Sequence, residues 1–103
     1  MRLDKLTTLL QQALADAQSL ANTADHAYIE PPHLVQALLN QDDGPRSLLQ
    51  RAGVSLRALE EATDAALSRL PKVDGAQLQP GRDLVALLQA AEKEASKIGR
   101  AHV

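Results

Sequence analysis

The first segment of the chain has apolar residues at steps of three and four, and these are Leu3, Leu6, Leu10, Leu14, Ala17 and Ala21. Such spacing places all six side chains on one face of an α-helix. We therefore predict a first helix over residues 3–22.

Proline and glycine divide the next part of the chain. Glu30-Pro31-Pro32 marks a helix start, because the first helical turn does not need the amide hydrogen that proline lacks. A second helix is predicted over residues 31–40, with Leu34, Leu38 and Val35 as its apolar stripe. The turn-forming residues 42–45 break this pattern, and a short third helix is predicted near 45–52.

A fourth helix is predicted over residues 56–70. Gly53 suits the carboxyl cap of the third helix, Ser55 suits the amino cap of the fourth, and Pro71 ends the fourth. The apolar face of this helix consists of Leu56, Leu59, Ala62 or Thr63, Ala66, Leu67 and Leu70.

Residues 71–82 have no periodic pattern and are predicted to be a connector. A fifth helix is predicted to start near Asp83 and to end at Gly99. Its apolar face consists of Leu84, Leu87, Leu88, Ala91, Ala95 and Ile98.

Composition agrees with an all-α fold in one domain. The chain has 103 residues, of which 45% are hydrophobic but only 1% aromatic. A core built from leucine, alanine and valine suits closely packed helices, and this length suits one small domain.

Charge and composition exclude several classes of function. The formal net charge is -2, no long run of like charges occurs, and Tyr28 is the single aromatic residue, so nucleic acid is not an expected partner. The start of the chain lacks the apolar run of a secretory signal, and no apolar stretch approaches the roughly 20 residues of a membrane helix. We expect a cytoplasmic protein with no membrane partner. Without cysteine, the chain has no disulfide or thiolate chemistry.

A shift of 74 positions indicates an internal repeat. It aligns Leu10, Leu14, Ala17, Ala21, Ala27 and Ile29 with Leu84, Leu88, Ala91, Ala95, Ala101 and Val103. Generic helical patterning also produces such matches. The repeat predicts a pseudo-two-fold unit, with a first copy over residues 1–74 and an incomplete second copy over 75–103. We expect the chain to be a fragment whose fifth helix exposes apolar surface, which would lower its stability or favour self-association.

Glu30 and His33 form the most suggestive catalytic pattern, because a Glu-x-x-His step can place two metal ligands on one helix face. A di-iron site needs a second such pair and further carboxylates, so a small metalloenzyme is the weaker hypothesis. In the alternative interpretation, Glu30 interacts with the helix amino terminus and His33 packs or forms a local hydrogen bond. His26, His33 and His102 are too scattered for a metal site, and the sequence contains no GxxxxGK[ST] phosphate loop.

Several short segments of the sequence resemble, in order and in register, the amino-terminal Clp repeat domain of ClpB-type protein disaggregases. They are MRLDKLT at 1–7, QALADAQSLA at 12–21, IEP at 29–31, HL at 33–34, ALLNQ at 37–41, AG at 52–53, LP at 70–71 and DLV at 83–85. The resemblance implies a repeat-built helical domain at the edge of a hexameric AAA+ ring. Such a domain binds unfolded or aggregated polypeptide and is not itself an enzyme, while ATP and magnesium bind to other domains of the parent protein.

The resemblance also implies a substrate site, formed by an apolar groove with polar residues around it. Thr7 matches one of those polar residues, whereas Arg100 stands where the family has an acidic residue. Leu9, Leu39, Leu49 and Val85 flank the main helical stripes, so they either form an exposed apolar patch or widen the core faces. The predicted substrate-binding residues are Thr7, Leu9, Val85, Leu88 and Arg100. The alternative function is docking of an adaptor protein, as in Clp unfoldases of degradation machines.

Overall fold

A computed structural model describes residues 3–41, 44–75 and 77–101, with the backbone alone for 3–7 and 98–101. Within these residues the chain forms five helices and two very short strands. They are α1 (Leu3–Thr23), β1 (Tyr28–Ile29), α2 (Pro31–Leu39), α3 (Pro45–Arg51), α4 (Leu56–Arg69), β2 (Gln79–Pro80) and α5 (Arg82–Ala101). The predicted all-α class is confirmed.

Local chemistry explains most of the helix boundaries. The Ser55 side chain accepts a hydrogen bond of 3.2 Å from the Ala58 amide, as an amino cap does. Gly53 has a φ of +87°, the left-handed conformation that glycine adopts readily. Leu70 is extended because it precedes Pro71, so α4 ends at Arg69. The predicted end of the last helix at Gly99 was wrong, since α5 continues through Gly99 to Ala101.

The core lies mainly between α1 and α2. Alanine dominates the contact, which lets two helices approach closely. Its buried members are Ala13, Ala17, Ala21, Ile29, Leu34, Ala37 and Leu84, with Leu10, Leu14, Leu20, Leu38, Leu78 and Leu88 partly buried against them. The predicted stripe of α1 is confirmed from Leu10 to Ala21, whereas Leu3 and Leu6 have side chains outside the described part.

α3 and α4 pack on the carboxyl-terminal side of α2. The Arg46 guanidinium donates to the Leu39 carbonyl oxygen at 3.0 Å and pairs with the Glu60 carboxylate at 2.9 Å. Thr63 is buried and its hydroxyl donates to the Leu59 carbonyl oxygen. Of the two residues proposed for that position of the α4 face, Thr63 is therefore the buried one, and Ala62 is exposed.

The connector contains a feature that periodicity did not predict. β2 pairs in parallel with β1, with Tyr28 opposite Gln79 and Ile29 opposite Pro80. Two-residue strands are too short to show an alternating pattern, and their pairing joins segments about fifty residues apart in sequence. This pairing places the start of α5 beside the start of α2.

Candidate functional site

The start of α2 is built around His33. The His33 backbone amide donates to the Glu30 carbonyl oxygen at 2.9 Å, and the Glu30 amide donates to His33 Nδ1 at 2.8 Å. His33 Nε2 lies 2.7 Å from Nδ1 of His26, which belongs to the link between α1 and β1. Both imidazoles are buried, with exposed fractions of 8% for His26 and 1% for His33. The expectation that His33 packs or forms a local hydrogen bond is therefore confirmed, but its contact with His26 was not predicted.

These contacts fix where the ring protons lie. Since His33 Nδ1 accepts from the Glu30 amide, the proton of neutral His33 is on Nε2 and is donated to His26 Nδ1. Burial lowers the pKa of His33, and the neighbouring His26 lowers it further. The structure thus favours the neutral form of His33.

The same geometry argues against metal binding by Glu30 and His33. Both nitrogens of the His33 ring are engaged in hydrogen bonds, so neither has a free lone pair to offer a metal ion. In the described part of the chain, no group of three or more histidine, cysteine or carboxylate side chains is arranged to hold a metal ion. Glu30 precedes α2 as its amino-cap residue, as the structural interpretation of this motif expected.

The Glu30 carboxylate lies between the starts of two helices. A Cβ atom at position 81 would overlap this carboxylate, so the side chain can lie there because residue 81 is glycine. Its Oε1 atom is buried and has no hydrogen-bond partner. A shallow depression of about 440 Å³ adjoins this point and is lined by Tyr28, Glu30, Gly81, Arg82 and Asp83.

The five predicted substrate-binding residues occupy α1 and α5. Thr7 and Arg100 lie in these helices, but their side chains are outside the described part. Val85 is 41% exposed, whereas Leu88 is partly buried against the core. Leu9 is half-buried near Gly44, and its carbonyl oxygen accepts a hydrogen bond from Gln41.

Leu9 and the start of α5 lie near opposite ends of α2. Gln41, which contacts Leu9, follows α2, whereas the first turn of α5, with Val85, adjoins the residues that precede α2. A nine-residue helix is about 14 Å long. A ligand that contacted both Leu9 and the start of α5 would therefore have to reach along α2, as an extended polypeptide does.

The flanking leucines that were considered for an exposed patch differ in burial. Leu39 is buried at 3% exposure and so cannot take part in such a patch, while Leu49 is half-buried. Large apolar side chains that are exposed in the described part are Tyr28, Leu48, Val54, Val73, Val85 and Leu87. Sequence reasoning missed Tyr28, although alternation within β1, with Ile29 buried, accounts for its exposure.

Comparison with known proteins agrees with this architecture. Residues 5–103 match the family model described as the Clp repeat (R) N-terminal domain. The chain belongs to this family. Among the described residues, no helix is long and apolar enough to cross a bilayer.

Similar full-length proteins of the family carry the name Chaperone protein ClpB. That of Pseudomonas putida is 41% identical over 102 residues, or 96% of this chain, and that of Vibrio cholerae is 42% identical over 106 residues, covering all of this chain. That of Dichelobacter nodosus is 49% identical over 70 residues, or 67% of the chain. The chain spans only about 12% of the length of the first two relatives and 8% of the third.

Proposed function

We propose that this chain is the substrate-recognition domain of an ATP-dependent protein disaggregase and binds exposed apolar segments of unfolded or aggregated proteins. The observation that carries the proposal is the match of residues 5–103 to the Clp repeat domain together with relatives named as ClpB chaperones. In this proposal the chain is cytoplasmic, adjoins a hexameric AAA+ ring and needs no cofactor itself. ATP and magnesium bind elsewhere in the parent protein.

Exposed apolar side chains at the start of α5 support this proposal. Val85 and Leu87 are 41% and 42% exposed, and Leu88 lies beside them, partly buried. Unfolded chains present apolar side chains, and burial of apolar area is the main source of affinity for them. A small contact area leaves only a few kcal/mol after the cost of ordering the ligand, so we expect weak and reversible binding.

Thr7, Leu9 and Arg100 extend the proposed site away from this cluster. Because Leu9 lies at the far end of α2, the proposal favours an extended polypeptide over a compact one as the ligand. Arg100 introduces a positive charge where an acidic side chain is typical of the family. We therefore expect this chain to bind basic segments less well than neutral or acidic segments of equal hydrophobicity.

A titration monitored by NMR tests the proposal. We expect a permanently unfolded, apolar-rich polypeptide to shift the amide signals of residues 84–88 at high micromolar to millimolar concentrations. V85S should weaken binding severalfold, because it removes apolar contact area. V54S is the matched control, since Val54 is 37% exposed but lies in the turn before α4, and it should leave binding unchanged.

Two outcomes would contradict substrate recognition. An absence of chemical-shift changes at millimolar polypeptide would exclude the proposed binding. Nanomolar binding of one folded protein, with no response to unfolded polypeptide, would instead support the adaptor-docking function.

A further inference from the structure

The two buried histidines form a series of hydrogen bonds with the Glu30 amide. Neither His33 Nδ1 nor His26 Nδ1 can take up an additional proton without breaking one of these bonds. The Glu30 amide donates to His33 Nδ1, and His33 Nε2 donates to His26 Nδ1. A proton added to His33 Nδ1 would face the Glu30 amide hydrogen. A proton added to His26 Nδ1 would face the proton of His33 Nε2. Either addition therefore breaks one hydrogen bond in a buried site.

No alternative tautomer relieves this conflict. If His33 moved its proton from Nε2 to Nδ1 to accept from a charged His26, the new proton would face the Glu30 amide. The Glu30 backbone amide can only donate a hydrogen bond. The three groups therefore have one compatible arrangement of protons. The inability to take up a further proton thus follows from the hydrogen bonds of His26, His33 and the Glu30 amide alone.

Carboxylates do not compensate a positive charge on the pair. Charged side chains on the surrounding segments are Asp25 beside His26, Glu30 before α2, Lys72 opposite His26 across an isolated backbone bridge, Asp74 after Val73, and Arg82 and Asp83 at the start of α5. Within the described residues, the hydrogen bonds of the two rings go to each other and to the Glu30 amide, not to Asp25, Glu30 or Asp83. A buried imidazolium would thus be left without an ionic partner.

The connector is attached to the backbone at two points, one next to His26 and one next to Glu30. The Val73 amide donates to the Asp25 carbonyl oxygen at 2.8 Å, immediately before His26. The Gly81 amide donates to the Ile29 carbonyl oxygen at 2.9 Å, immediately before Glu30. Both ends of the segment that leads into α5 are therefore held by residues adjacent to the hydrogen-bonded chain.

We propose that the His26–His33 pair is a proton-sensitive latch that holds the connector at Val73 and at Gly81, and with them the start of α5, against the α1–α2 core. With His33 neutral, the hydrogen bonds of the pair are intact and the latch is closed. On acidification, protonation of His33 breaks one of these hydrogen bonds and loosens the two backbone attachments. Opening would expose Leu84 and Leu78, and so increase the apolar surface at the start of α5. This inference does not depend on the proposed function.

Amide hydrogen exchange at single-residue resolution tests the latch. Between pH 7.5 and 5.0 we expect the protection factors of the Val73 and Gly81 amides, corrected for intrinsic exchange, to fall roughly tenfold, as the loss of one hydrogen bond predicts. The Val54 amide, which donates to the Leu49 carbonyl oxygen at 2.9 Å in the turn before α4, is the internal control and should keep its protection. Equal protection of Val73 and Gly81 at both pH values would overturn the proposal.

H33Q supplies a variant that does not titrate at position 33. A glutamine at the third position of a helix can accept from the amino-cap amide through Oε1, and its Nε2 can donate to His26 Nδ1. We expect H33Q to protect Val73 and Gly81 at both pH values, with a smaller dependence on pH than the wild type shows. A pH response as large as that of the wild type would show that His33 is not the sensor.

The ring tautomers provide a second measurement that needs no variant. Nitrogen-15 shifts of the wild-type imidazoles at pH 7.5 should show His33 neutral, with its proton on Nε2. A proton on Nδ1, or a charged ring at this pH, would overturn the latch even if H33Q did not fold.

Discussion

His33 shows how one polar side chain can be accommodated at the centre of a small helical domain. Its ring is 1% exposed, and each nitrogen has a hydrogen-bond partner. Because unpaired buried polar atoms are costly, this pairing is what permits a histidine at a position that faces the core. The Glu30 Oε1 atom, by contrast, is buried without a partner and lies against Gly81.

Global stability should depend on pH through His33. Its pKa is lowered in the folded state, chiefly by burial, so the unfolded state binds the proton more tightly. The free energy of unfolding should therefore be constant above about pH 7.5 and fall as the pH drops through the ordinary histidine value of about 6.5. Urea denaturation at pH 7.5, 6.5 and 5.5 measures this change. The comparison is with H33Q, and a wild-type stability that rose on acidification, or fell no more than that of H33Q, would contradict the prediction.

At the scale of elements, α5 differs from the other long helix in how little of it is buried. Leu84 is 2% exposed, Leu88 is partly buried, and residues 89–97 are all exposed. In α1, Ala13, Ala17 and Ala21 are completely buried. The positions that the repeat aligns with Ala17 and Ala21 are Ala91 and Ala95, and these are exposed. The positions that the predicted repeat aligns therefore have different environments in this chain.

Leu84 should anchor α5 to the rest of the molecule. We expect L84A to lower the free energy of unfolding by about 2–5 kcal/mol, because it removes buried methyl groups and leaves a cavity. L87A is the matched control, since Leu87 is 42% exposed in the same turn, and it should cost less than about 1 kcal/mol. Urea denaturation followed by circular dichroism measures both variants. Similar losses for the two substitutions would show that α5 packs differently from the arrangement described above.

At the scale of the whole molecule, the domain is elongated, and its long, mostly exposed helix α5 contributes to this shape. The principal dimensions are 49 × 28 × 19 Å, and a helix of 20 residues is itself about 30 Å long. Over residues 89–97 the apolar side chains of this helix, Ala90, Ala91 and Ala95, are exposed. An apolar surface of this kind favours association with another apolar surface.

Self-association of the 103-residue chain is the expected consequence. We expect the weight-average mass in sedimentation equilibrium to rise above that of the 11.0 kDa monomer between about 10 μM and 1 mM. L87E should shift the association to higher concentration, because it places a charge on the exposed face of α5, while V54E provides a charge at a similarly exposed site elsewhere. A strictly monomeric chain with high thermal stability over the whole range would contradict the expectation.

The sequence by itself determined the helices and the family. Steps of three and four predicted α1, α2 and α4 to within one or two residues, because burial of one face imposes that period. Ser55, Gly53 and Pro71 identified helix ends because caps and proline act through adjacent backbone atoms. The end at Gly99 was mispredicted because glycine weakens a helix without being obliged to end it.

Only the tertiary structure decided which polar and flanking residues meet. The contact between His26 and His33, the pairing of β1 with β2 and the burial of Thr63 in place of Ala62 depend on segments that are distant in sequence or on the exact rotation of a helix. A local hydrophobic period encodes neither the contacts between distant segments nor the exact rotation of a helix. The tertiary structure also placed Leu9 beside Gln41, which follows α2, and the start of α5 beside Ile29, which precedes α2.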